Sequence, residues 1–109
     1  MTSPSSDPSS QVAMLRARLR QLIDPELGLN VVDLGLIRKI EVVGSTVTVT
    51  MTLTSPGCPI GEVLIDGVRN LVTATPGLTD AIVHLVWDPP WSPSDISPTT
   101  QETLNSTFL

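Results

Sequence analysis

Apolar residues recur along the chain at two different spacings, steps of three or four in some segments and steps of two in others. Val12, Leu15, Leu19, Leu22 and Ile23 follow the helical step, predicting a first helix over residues 11–23 with Ser9 or Ser10 as N-cap. Pro25 is expected to end it, because it disfavours helical geometry at Asp24. From Leu36 to Leu53 the pattern alternates strictly, with Gly44 and Ser45 in the middle. Glycine first in a two-residue loop suits a type II′ turn and predicts a β-hairpin with Val43 opposite Thr46. In that register Leu36, Ile40, Val42, Val47, Val49, Met51 and Leu53 share a core face. Lys39, Glu41 and the threonines from Thr46 to Thr54 share the other. Arg38 falls on the core face and must reach the edge or find a partner.

A second helix is expected over 59–74, with Ile60, Leu64, Val68 and Leu71 as its stripe. Glu62, Asp66, Arg69 and Asn70 form its wet face, Gly67 allows close packing on the sheet, and Pro76-Gly77 stops it. A third strand follows over 80–87, with Ala81, Val83, Leu85 and Trp87 toward the core. Beyond it, Asp88-Pro89-Pro90-Trp91-Ser92-Pro93 reads as a stiff extended loop. The segment from Pro98 to Phe108 carries a candidate short helix with Thr99 and Glu102 as a capping box. Residues 1–10 hold little to bury and are expected to form a disordered tail ahead of a single domain over 11–109. The order α-β-β-α-β-(α) predicts an α/β (α+β) two-layer sandwich: a small three-stranded sheet with helices on one face.

Composition narrows the function classes. Six basic residues stand against eleven acidic ones, a formal net charge of −5, so the chain has no broad electrostatic footprint for nucleic acid. One cysteine cannot form an internal disulfide, the N-terminal residues do not read as a signal peptide, and no apolar run is long enough for a membrane span. The expected setting is cytoplasmic, with protein partners or a small ligand and no membrane.

The chemistry concentrates in Thr54-Ser55-Pro56-Gly57-Cys58-Pro59. Proline favours the first helical position, so Pro59 there makes Cys58 the N-cap. Free N–H groups and the positive end of the helix dipole then favour the thiolate, the form that binds metal or attacks an electrophile. A buried structural cysteine is the plainer alternative. Asp24, Glu26 and Asp33 read from spacing alone as ordinary loop carboxylates, since no pair has a metal-ligand spacing. They could also rim the cysteine as cluster neighbours or partner contacts. His84, the only histidine, reads as solvated, although a Cys58–His84 dyad is conceivable in a thiol enzyme. Trp87 is expected to close one end of the core, leaving Trp91 outside as a partner anchor.

Four motifs in order resemble the SufT-like family of iron–sulfur cluster assembly proteins, which also includes PaaD-like proteins and the eukaryotic cytosolic iron–sulfur targeting subunit. They are Asp24-Pro25-Glu26, the run from Asn30 to Ile37, Thr54 to Pro59, and Trp87-Asp88-Pro89-Pro90-Trp91. The resemblance implies an accessory role in cluster maturation or delivery, not an enzyme. It places the family's cysteine on Cys58, its acidic positions on Asp24, Glu26 and Asp33, a motif threonine on Thr54, and an aromatic-proline signature on Trp87 and Trp91. PaaD-like members carry further cysteines in an added C-terminal segment, so their absence from this sequence points to the short SufT-like branch. The implied partners are the assembly machinery and client apoproteins. An iron–sulfur cluster usually takes four cysteine ligands. The expectation is therefore transient binding, with a cluster bridged between two chains in a homodimer, or an adaptor that holds no cluster.

Overall fold

The computed structural model describes residues 8–54 and 60–102, with the backbone alone at 8 and 9. The elements run α1 (Pro8–Leu19), β1 (Ile23–Asp24), β2 (Leu29–Asn30), β3 (Ile37–Val43), β4 (Thr46–Met51), α2 (Gly61–Thr73) and β5 (Asp80–Leu85). A short 3-10 turn at Pro93–Asp95 and helical residues 98–102 follow. The main sheet has the order β3-β4-β5, while β1 and β2 form a separate two-residue ribbon. β3 and β4 are antiparallel, whereas β4 and β5 are parallel, a direction the sequence left open. Leu15 and Leu19 of α1 and Leu64, Val68 and Val72 of α2 join Val47, Val49 and Met51 of the sheet in one core. This is the expected α+β arrangement, with the ribbon added.

The hairpin follows the expected register from its turn to Ile40, with Val43 opposite Thr46, Val42 opposite Val47 and Ile40 opposite Val49. Gly44 takes a φ of 61° while Ser45 stays negative, as a type II′ turn requires. Past Lys39 the register shifts, so that Ile37, not Arg38, stands opposite Met51. This irregularity answers the misplaced arginine. It admits Ile37 to the core and lets the half-buried Arg38 guanidinium reach Asp95 at 3.9 Å. Thr52, expected on the wet face, is fully buried because β4 has already ended. Its N–H donates to the Leu36 carbonyl at 2.9 Å.

Four helix boundaries differ from expectation. α1 starts at Pro8, which suits the first helical position and puts Ser9 and Ser10 inside the helix, not at its cap. It ends at Leu19, ahead of Pro25, where N–H groups of Arg20, Gln21 and Leu22 each bond three residues back and tighten the last turn. Leu22 kept the helical spacing for another reason. Its side chain seats at Gly67 of α2, where a built Cβ would lie 2.7 Å from Leu22 Cδ1. Gly67 thus admits that leucine, not the sheet. α2 has Ile60 at its N-cap position and Val72, not Leu71, as the last fully buried residue of its stripe. In the last segment Ser97, not Thr99, sits at the cap position, its carbonyl accepting the Gln101 N–H at 2.9 Å.

Gly35 takes a φ of 78° and presses against the backbone of Asp95, whose carbonyl carbon lies 2.8 Å from a built Cβ. Gly28 also has positive φ, at 72°, but faces open space. Gly35→Ala is therefore expected to destabilise the fold by more than Gly28→Ala, which carries only a strain of about 1 kcal/mol. Urea titration of both variants checks this; equal losses would remove the Asp95 contact from the account.

Candidate functional site

Because β3 is antiparallel and β5 parallel to β4, one end of the sheet gathers the start of β3 and the carboxyl ends of β4 and β5. The run from Asn30 to Ile37, Thr54 of the cysteine motif and the tryptophan–proline motif meet there. The chain leaves β4 through buried Leu53 and half-buried Thr54, and resumes at Ile60. Cys58 itself lies outside the described residues. Ile60 at the N-cap corrects the expectation that Pro59 opens the helix, so Cys58 stands two positions ahead of the cap in sequence. Gly61, next in line, packs its backbone 2.7 Å (for a built Cβ) from Leu53 Cδ1, closing the helix start onto the strand exit.

From the β5 side, the Val86 N–H donates to the Met51 carbonyl at 2.8 Å, and the chain then runs into the tryptophan–proline motif. The two tryptophans exchange their expected places. Trp91 is half-buried, packs against the core, and its indole Nε1–H donates to the Leu34 carbonyl at 2.6 Å. Trp87 is 41% exposed, because β5 ends two residues before it. An aromatic ring with a polar handle is buried where that handle finds an acceptor, and Leu34 supplies one only to Trp91. The Ser97 N–H donates to the Asp33 carbonyl at 2.8 Å, so the chain after β5 is stitched onto 33–34 twice.

The acidic residues have distinct roles. Asp24 is only 2% exposed. Its Oδ1 accepts the N–H groups of Glu26 at 2.8 Å and Leu27 at 3.4 Å, and its carbonyl accepts that of Gly28 at 2.7 Å. Pro25 has no N–H to offer, so the carboxylate reaches past it and shapes the turn. Asp33 accepts from Asn30 Nδ2 at 2.8 Å and pairs with Arg20 Nε at 3.6 Å. Asn30, given no role from sequence, accepts the N–H groups of Val32 at 3.1 Å and Asp33 at 2.9 Å, capping the turn that leads to Leu34. Asn followed three residues later by Asp is the signal that could have found it. Glu26 is exposed. His84 is exposed on β5 opposite Thr50, on the face away from the helices. Among the described residues no group of three His, Cys, Asp or Glu could hold a metal ion. Nor is any of their helices long and apolar enough to cross a membrane.

A short α+β domain with its motif loops gathered at the carboxyl ends of two parallel strands matches a known class. The chain belongs to the iron–sulfur cluster assembly protein family, whose model matches residues 13–85. It is 49% identical over 72 residues to the Fe-S protein maturation auxiliary factor SufT of Staphylococcus aureus, covering 65% of this chain and 82% of that protein. It is 41% identical over 80 residues to the auxiliary factor YitW of Bacillus subtilis, covering 72% of this chain and 78% of that one. Among solved structures, a domain of unknown function from Bacillus anthracis superposes with a TM-score of 0.84 at 32% identity, covering 90% of this chain and 94% of the other.

Two expectations follow from the site. Asp24→Ala leaves buried N–H groups without their acceptor and is expected to cost about 1–3 kcal/mol in urea unfolding, whereas Glu26→Gln stays within about 0.5 kcal/mol of wild type. Trp87→Phe should leave the blue-shifted fluorescence of a half-buried indole. Trp91→Phe should leave water-like emission and lower stability by about 1–3 kcal/mol.

Proposed function

We propose that this protein takes up an iron–sulfur cluster as cargo and passes it to client apoproteins, with Cys58 as the thiolate that holds it in transit. The observation that carries this reading is the gathering of the family's motif segments at the sheet end from which the cysteine segment departs. Ligands in open α/β sheets bind outside the carboxyl ends of strands, because loops with free backbone groups converge there. Cluster-carrier relatives support the direction: the chain is 35% identical over 72 residues to a Synechocystis protein named an iron-sulfur cluster carrier, of which it covers 20%.

One cysteine leaves most of a cluster's coordination to others. A second chain, an external thiol or the exposed carboxylate of Glu26 would supply the remainder. Few protein bonds then have to break on release, which suits a handover. The transfer is an exchange of iron ligands: the iron–sulfur bond to Cys58 breaks as one to a client thiolate forms, with no change of oxidation state. Asp24 and Asp33 act here by holding the flanking loops, and Thr54 by fixing where the cysteine segment leaves the sheet. A reducing cytoplasm keeps the thiol free for this use. The exposed Trp87 favours a second reading, an adaptor that docks carrier or client through aromatic contacts and holds no cluster.

Anaerobic reconstitution with iron and sulfide, on wild type and Cys58→Ser, separates the two. Visible absorbance and bound iron that require Cys58, followed by recovery of activity in a purified apo iron–sulfur enzyme, are the expected results. If both proteins stay folded and neither binds iron, the carrier reading fails and the adaptor remains.

A further inference from the structure

The two edges of the main sheet are built differently. β3 carries an irregular register at Arg38 and exposes Lys39 and Glu41, features that discourage pairing with another strand. β5 pairs with β4 without irregularity from Asp80 to Leu85 and contains neither lysine, proline nor bulge. Among the described residues no backbone hydrogen bond joins β5 to a strand other than β4. On its inner face Ala81, Val83 and Leu85 are only half-buried, while Val47, Val49 and Met51 of the neighbouring strand are fully buried. On its outer face Ile82 is 46% exposed.

We propose that β5 is a homodimer interface, pairing antiparallel with β5 of a second copy to make a continuous six-stranded sheet. The Val86 N–H bonds to β4, so by alternation the N–H and C=O groups of Ala81 and Val83 point away from it, with no backbone partner among the described residues. Opposed residues in an antiparallel pair must share a face. A two-fold axis at Ile82 meets both conditions: Ala81 bonds to Val83 of the second copy, and Ile82 packs on its own equivalent. The same register sets Asp80 opposite His84 twice, a carboxylate accepting an imidazole N–H. An axis at Val83 also satisfies the backbone but sets His84 against Ile82 and leaves Asp80 beside Val86. The matching of acceptor Asp80 with donor His84 therefore selects the axis at Ile82 and a second copy of this chain as the occupant. This interface requires no cluster, and it is tested without iron or sulfide.

Sedimentation velocity on the metal-free chain, over a concentration series, should show reversible dimerisation. Ile82→Lys puts two ammonium groups face to face at the axis and should give a monomer with unchanged circular dichroism. Asp80→His and His84→Asp each create two like pairs and should weaken the dimer about tenfold. The double variant restores both pairs with their order reversed and should recover the wild-type constant. A wild type that stays monomeric throughout would overturn the proposal. So would a dimer indifferent to Ile82→Lys, or a double variant no better than the singles.

Discussion

Parallel pairing of β4 with β5 obliges the chain to return from one end of the sheet to the other between them, and α2 is that return. The rest of the architecture depends on this crossing. It buries Leu64, Val68 and Val72 over the sheet, and it places the exits of both strands side by side. An all-antiparallel meander of the same strands would have sent the tryptophan–proline motif to the opposite end from Thr54. The parallel pair sends it to the same end, where Leu34 and Asp33 hold it down.

Periodicity made the hairpin, α2 and the face pattern of β5 legible. Alternating Val47, Val49 and Met51 can be buried on one side only, and Gly44 leaves one turn geometry open. The failures came where a side chain's burial had a cause other than its own element. Leu22 continues the spacing of α1 because it fills the space at Gly67, not because the helix extends that far. The two tryptophans were exchanged because their burial depends on an acceptor 57 residues away in sequence, which no local pattern encodes. Asp24 and Asp33 were legible as motif members, yet their hydrogen bonds to local N–H groups and to Asn30 depend on turns that only the fold defines.

The site divides accordingly into a part that is held and a part that is presented. Buried Asp24 and half-buried Asn30 fix the loops at 24–28 and 30–34 through bonds to local N–H groups. Glu26 and Trp87 remain on the outside. Among the described motif residues, Asp24, Asn30 and Asp33 thus serve to hold the loops.

The leucine lodged at Gly67 also has a mechanical meaning. It works as a detent: with Leu22 in the notch, α2 cannot slide along its axis without climbing over a side chain. Leu22 thereby fixes the position of α2 along its own axis relative to the segment that follows α1.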